Sequence, residues 1–233
     1  MTPHRYRIYI KATPQQVWQA ITDPAYTRQY FHKTAFRTLL AAGEGYRYVL
    51  DSGDDAVDGT IEVAEPPHRL VMTWHTLYDA ALAAEPVSRV EWQLTEAGEG
   101  LTQVDLVHGD LARSPLTWAN VRDGWVWILD GLKSVLETGE PLPDLQRADD
   151  ASAPDADAIR ADWHRAQGIE CNNSIWELVG QEERSAADDE EMLRRAYASA
   201  YHWQRARGTG PANEARALYM LAKVHLLAGL ADR

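Results

Sequence analysis

Residues 88–111 read SRVEWQLTEAGEGLTQVDLVHGDL, and this stretch decides the fold. Val90, Trp92 and Leu94 alternate with Arg89, Glu91 and Gln93; after a glycine-bearing break, Val104, Leu106 and His108 stand on one parity with Asp105 on the other. Side chains two apart along an extended chain share a face, so each run reads as a strand with one buried and one wet side. Two such runs joined by a short turn make an antiparallel pair.

Upstream, the same text recurs between Gly, Pro and Asp breaks as GYRYVLD (45–51), DGTIEVAE (58–65) and RLVMTWH (69–75), which extends the pair to a meander. Its inward parity holds Tyr46, Tyr48, Leu50, Ile61, Val63, Leu70, Met72 and Trp74, and its outward parity Arg47 and Glu62. RYRIYIKA (5–12) is a further strand, with Tyr6, Ile8, Ile10 and Ala12 inward. Thr13 then caps a helix that has Pro14 in its first position, buries Val17, Trp18 and Ile21, and stops at Asp23-Pro24; a second short helix runs through Tyr26, Tyr30 and Phe31.

Downstream, residues 114–140 carry Trp118, Val121, Trp125, Ile128, Leu129, Leu132, Val135 and Leu136 at three- and four-residue spacing, which predicts one long helix ended by Gly139 and Pro141. A helix of that length spans the apolar side of a curved sheet. The fold class is therefore α+β, a helix-grip arrangement over residues 1–140.

Residues 141–157 are Pro-, Ala- and Asp-rich without apolar periodicity and read as a linker. Residues 158–233 are purely helical in pattern, with helices near 158–179, 186–206 and 212–229. The expected apolar positions are Ile159, Trp163, Ile175, Trp176 and Leu178 in the first, and Met192, Leu193, Ala196, Tyr197, Ala200 and Trp203 in the second. In the third they are Ala215, Leu218, Tyr219, Leu221, Ala222 and His225. Ser185 with Asp188 resembles a capping box, and Pro211 opens the third helix. Such a hairpin is similar to tetratricopeptide-like units, which need a neighbour to bury their second face. The expected neighbours are the first domain, a second copy of the chain or a protein partner.

A formal charge of -12 spread over both halves leaves no basic face for nucleic acid or anionic lipid. The single cysteine, Cys171, excludes an intrachain disulfide and a multi-cysteine metal site, and reads as a small half-buried residue. MTPHRYRIYI lacks the apolar core of a signal peptide and no stretch has the length of a membrane span, so a cytoplasmic protein is expected. Nine Trp and ten Tyr against two Phe favour an interior with polar atoms at its edges.

Four segments together resemble the activator of heat-shock-protein-90 ATPase homologue family of the START-like (SRPBCC) superfamily. They are IYIKATPQQVWQAITDP (8–24), GTIEVAEPPHRLVMTW (59–74), residues 88–111, and GWVWILDGLKSVLETGE (124–140). Two stretches depart from it: HTLYDAALAAEP (75–86), and Ala42-Gly43-Glu44-Gly45 where the family has a Gly-Gly turn. Residues beyond 140 lie outside it. The resemblance implies a cavity between sheet and long helix that, in related families, takes apolar small molecules. It implies no one activity.

The expected cavity wall is Tyr46, Tyr48, Met72, Trp74, Trp92, Leu106 and His108 from the sheet, facing Trp118, Val121 and Trp125 from the helix. His108 is the inward group that titrates near neutrality; it reads first as a strand-end histidine bonded to backbone or water, and otherwise as the acid or base of a cyclase or aromatase-type enzyme. Ser52, Ser88, Ser114 and Ser134 lack a glycine-framed nucleophile turn, and the eight histidines include no pair one turn apart on a helix, so no triad, metal or cofactor is expected. His68 and His75 are expected in solvent, and the acidic run 188–191 is expected to complement a helix N-terminus. Trp163, Trp176, Tyr197, Tyr201, Trp203 and Tyr219 read either as a peptide-binding face or as an internal seam. Three functions remain: binding of an apolar or aromatic molecule, a chaperone-activator-like protein interaction through the tail, and an enzyme using His108.

Overall fold

The alternation of residues 45–109 folds as five strands of a seven-stranded antiparallel sheet in the order β1-β7-β6-β5-β4-β3-β2. The computed structural model describes residues 3–143, 155–181 and 183–230, and the chain divides into two compact units, 3–151 and 152–233 with 1–2. Most of the expected linker, residues 144–154, lies outside the described residues. In the first unit the elements are β1 (His4–Ile10), α1 (Pro14–Thr22), α2 (Pro24–Tyr30), β2 (Ala35–Thr38), β3 (Gly45–Val49) and β4 (Asp55–Glu65). They continue with β5 (Arg69–Thr76), α3 (Ala80–Ala83), β6 (Ser88–Gly98), β7 (Leu101–Gly109) and α4 (Pro115–Thr138). The architecture is the helix-grip α+β fold.

Two elements carry no periodic signal in the sequence. β2 buries both Ala35 and Phe36 and so shows no alternation, while α3 is a single turn capped by Asp79. The inward parity holds with local exceptions. Leu50 lies just past β3, Val63 follows a bulge in β4, and both are only half-buried. A bulge puts an extra residue on one strand and turns the next side chain out of register. On the outer face, Arg69 and Arg89 bracket Glu91 at 2.8 and 3.2 Å, and Arg89 also reaches Glu62 at 2.7 Å, which keeps that side wet.

Thr13 and Gln16 form a full capping box at the start of α1. α4 buries Trp118, Val121, Trp125, Ile128, Leu129, Leu132 and Val135 against the interior, and ends at Gly139 with φ +80°, a conformation that glycine adopts without steric cost. Its N-terminus is capped from far away: the Glu85 carboxylate accepts from the backbone N–H of Leu116 and Thr117 at 2.9 and 2.7 Å. Gly131 lets α2 come close, since a Cβ there would stand 3.0 Å from that of Tyr30.

The second unit holds α5 (Ala156–Val179), α6 (Ala186–Trp203) and α7 (Pro211–Leu227), with α6 packed on both others. The Ser185–Asp188 capping box forms, and Asp188 and Asp189 occupy the first turn of α6. Ile175, Leu178, Met192, Ala196, Met220 and Val224 make its core. This corrects the expected apolar faces. Trp176, Tyr197, Leu218 and Tyr219 are exposed, and α7 turns Ala217, Met220 and Val224 inward instead. α7 is apolar on two opposite sides, so periodicity alone could not say which side packs. Among the described residues no helix is long and apolar enough to cross a membrane.

Candidate functional site

All ten expected wall residues are buried in the first unit. Strand parity puts Tyr46 and Tyr48 (β3), Met72 and Trp74 (β5), Trp92 (β6), Leu106 and His108 (β7) on the concave side, and α4 lowers Trp118, Val121 and Trp125 onto them. The rings touch. Trp74 and Trp92 lie 5.2 and 5.6 Å from Trp125, and Tyr48 lies 5.8 Å from Trp74. Phe31, the C-cap of α2, stacks on Tyr48 at 4.3 Å and meets Trp125 edge-on at 5.8 Å. In the sequence Phe31 marks only the end of a short helix, and nothing in its spacing places it in this cluster.

The polar atoms among these rings are mostly taken up by the fold. Tyr46 donates its hydroxyl to the Thr73 carbonyl at 2.5 Å, and Trp74 donates its indole N–H to Thr76 Oγ1 at 3.2 Å. The Tyr46 ring and Thr73 carbonyl occupy the space that a Cβ on Gly59 would need, so glycine is required there. Burial raises the Tyr46 and Tyr48 hydroxyls far above the ordinary range for tyrosine.

His108 sits at the centre of a chain of three side chains. Trp125 Nε1 lies 2.8 Å from His108 Nδ1, and Ser88 Oγ lies 2.7 Å from His108 Nε2 and 3.3 Å from the Trp74 carbonyl. An indole nitrogen can only donate, so Nδ1 must be the accepting nitrogen and the neutral ring carries its proton on Nε2. His108 therefore donates to Ser88, which donates to Trp74. Burial, with a smaller contribution from His4 across the β1–β7 pair, lowers the His108 pKa from 6.5 to about 3, so the ring is neutral at physiological pH.

Sequence spacing does not reveal this contact between Ser88 and His108, 20 residues apart on paired strands β6 and β7. The arrangement resembles a nucleophile–base dyad in distance but not in tautomer. A base must offer a lone pair to the serine proton, and here Nε2 already bears hydrogen while the Nδ1 lone pair is held by Trp125. His108 is bonded within the core, though to two side chains and not to the backbone or water expected of a strand-end histidine.

At the same end of the sheet, His4 Nε2 donates to the Trp118 carbonyl at 2.8 Å and its ring lies 5.0 Å from the Trp118 ring. The Tyr6 hydroxyl donates to the Arg122 carbonyl at 2.7 Å. The indole N–H of Trp118 itself is shielded from solvent and finds no acceptor among the described residues. His68 is exposed as expected, but His75 is not in free solvent: its ring is held between Asp58 at 2.9 Å and the Ala83 carbonyl at 3.1 Å. A histidine pair that sequence spacing could not reveal lies in the second unit, where His164 (α5) and His202 (α6) bring their Nδ1 atoms to 2.8 Å. Among the described residues no group of three or more metal-ligating side chains converges. The aromatic residues of this unit divide: Trp163 is buried and Trp203 packs over Gly168, whereas Trp176, Tyr197, Tyr201 and Tyr219 face solvent.

Residues 11–137 match the family described as Activator of Hsp90 ATPase homolog 1-like protein. Among solved structures, the chain is similar to DynU16, a protein of the dynemicin biosynthetic locus, at 27% identity and a TM-score of 0.50. The match covers 60% of this chain and 48% of that one, so it spans about half of DynU16. CalU16 from Micromonospora echinospora is matched at 27% identity and a TM-score of 0.46, covering 58% and 76% of the two chains. The Aha1 dimer from Colwellia psychrerythraea is matched at 21% and 0.48, covering 60% and 98%. No curated protein matches.

Proposed function

The chain belongs to the Activator of Hsp90 ATPase homolog 1-like family by a match over more than half its length, and from that premise we propose that the helix-grip unit is a non-catalytic binder of an apolar or aromatic small molecule. The observation that carries the reading is the buried indole N–H of Trp118, which has no acceptor among the described residues. A buried donor left unpaired costs about 1–3 kcal/mol, a cost relieved when an acceptor arrives. Trp118 and Trp125 stand seven residues apart on the buried face of α4, so a flat molecule between that face and the sheet would stack on aromatic rings and offer an oxygen to Trp118. The rings of Phe31, Tyr48, Trp74 and Trp125 touch one another, so a molecule that stacks among them must part them. The biosynthetic locus of DynU16 agrees with a small-molecule role. In this reading the protein is cytoplasmic and needs no cofactor.

Two planar probes of one shape test it, 9-fluorenone with a carbonyl and fluorene without. Tryptophan fluorescence of the full chain should show saturable quenching by both, with the ketone bound roughly two- to tenfold tighter, the worth of one neutral hydrogen bond. Trp118→Phe should remove that preference. Absence of saturable binding by either probe sinks the reading.

A second reading, a chaperone-activator-like or other protein-interaction role through a tetratricopeptide-like tail, is favoured by the solvent-facing Trp176, Tyr197, Tyr201 and Tyr219 of the helical unit. If deletion of residues 141–233 leaves the pull-down partners and oligomeric state unchanged, this reading loses its support.

A further inference from the structure

α4 contains two glycines, and packing accounts for only one. Gly131 is kept small by α2, since an added Cβ would stand 3.0 Å from that of Tyr30. Gly124, in the middle of the helix, would carry a Cβ with nothing within 4 Å of it. Glycine holds the helical conformation roughly two- to fivefold less well than alanine, because it gives up more backbone freedom. That weak point falls between two halves of α4 that are held in different ways.

The half after Gly124 is packed. Trp125, Ile128, Leu129, Leu132 and Val135 are buried, Trp125 donates to His108, and Gly131 fits against α2. The half before it, residues 115–123, buries two large apolar side chains, Trp118 and Val121. It is otherwise held by polar contacts at its edges. His4 donates to the Trp118 carbonyl at 2.8 Å, Tyr6 to the Arg122 carbonyl at 2.7 Å, and Tyr78 to Asn120 Oδ1 at 2.6 Å. These contacts lie at least partly open to water, which can replace them at small net cost. Glu85 caps Leu116 and Thr117, and Ser114 donates to the Pro86 carbonyl at 3.0 Å, so the β5–β6 connection is tied to this half and moves with it.

We infer that Gly124 is a hinge about which residues 115–123 swing away from the sheet to admit a ligand beneath Trp118. What enters rests on the small-molecule reading of the site; the hinge itself does not. Trp118 lies about 9 Å along the helix from Gly124, so a swing of about 25° lifts it by about 4 Å, the thickness of one flat ring. Trp125 stays behind as the stacking wall, bonded to His108. The Trp118 indole N–H, which has no acceptor among the described residues, is then open to an entering oxygen. A hinge needs only a few backbone dihedrals to change. Opening interrupts the helical bonds that cross it, donated by Trp125, Val126 and Trp127 to the carbonyls of Val121, Arg122 and Asp123.

Residue-resolved amide hydrogen exchange on the full chain tests the hinge. Protection should dip at residues 125–127, below the turns on either side, whereas a helix that only frays loses protection steadily toward its N-terminus. Gly124→Ala meets no neighbour and should raise protection at the dip roughly two- to fivefold. In stopped-flow fluorescence the same variant should slow both association and release of 9-fluorenone by that factor and leave its affinity unchanged, because alanine favours the closed helix equally in the free and the bound chain. Protection that rises smoothly through residue 124, or a dip that Gly124→Ala leaves in place, overturns the hinge whether or not the probe binds. Binding at rates indifferent to Gly124→Ala overturns its part in entry. A dip that responds to the variant in a chain that binds neither planar probe upholds the hinge and removes the small-molecule reading instead.

Discussion

The β6–β7 hairpin and α7 are both apolar segments with a regular period, yet one reveals its buried side in sequence and the other does not. In the hairpin the faces are chemically opposite: Val90, Trp92, Leu94, Val104 and Leu106 are buried, while the intervening Arg89, Glu91, Gln93 and Asp105 keep their polar ends at the surface. In α7 the faces are chemically alike. Ala215, Leu218, Tyr219 and Ala222 satisfy the helical period as well as Ala217, Met220 and Val224 do, and the structure buries the second set. Pattern predicts burial only where the alternative face is polar, because the hydrophobic effect discriminates by contrast between faces and not by period.

The strongest challenge to the hairpin side of this comparison is Trp125→Ala. Trp125 touches Phe31, Trp74 and Trp92 and donates to His108, so its loss opens a large void and leaves Nδ1 without its donor. About 4 kcal/mol of stability should disappear from the first unit, read by urea unfolding together with hydrogen exchange of β6, β7 and α4. If the loss is below ~1 kcal/mol, the concave rings are loosely held and strand parity did not identify a packed core.

On the helical side, Met220→Ala should cost the second unit about 3 kcal/mol, because Met220 lies in the core with Ile175 and Met192. The reverse order, with Leu218→Ala the costlier change, would restore the face chosen from the sequence and remove the contrast. Unfolding of the two units is to be followed separately, since a chain with two compact units need not melt in one step.

What was legible follows the same division. The β-meander, the Thr13 cap, the long helix and its Gly139 stop were all readable, because each rests on a local contrast or on a residue with a special backbone role. So was the inward set that includes Tyr46, Trp74, Trp92 and His108. The bonding inside the concave face was not. That Ser88 meets His108, that Trp125 fixes its tautomer, and that Phe31 stacks on Tyr48 depend on strand register and helix placement between residues distant in sequence. The same limit hid the Glu85 cap on α4 and the His164–His202 contact between helices. Sequence spacing carries which face a residue is on, but not which atom it meets across the core.

Acid sharpens the comparison between the two units. His108 is buried neutral with a pKa of about 3, against 6.5 when exposed. The unfolded chain therefore binds a proton that the folded one refuses. This contribution is complete above about pH 6.5, falls as the pH drops, and levels off near pH 3, with a loss of about 2 kcal/mol by pH 5. His4, also lowered mainly by burial, acts in the same direction within the first unit. In the second unit burial and the neighbouring His164 and Arg205 lower His202 to about 4, and His164 is lowered as well. The sign is the same, but this pair is partly open to water, which screens the effect. Moving from about pH 7 to about pH 5 should thus raise exchange of β7 and α4 amides, corrected for intrinsic rates, more than that of α6. Equal sensitivity of the two units would mean that His108 takes up its proton in place, and that the bonded chain from Trp125 to Ser88 does not hold the ring neutral.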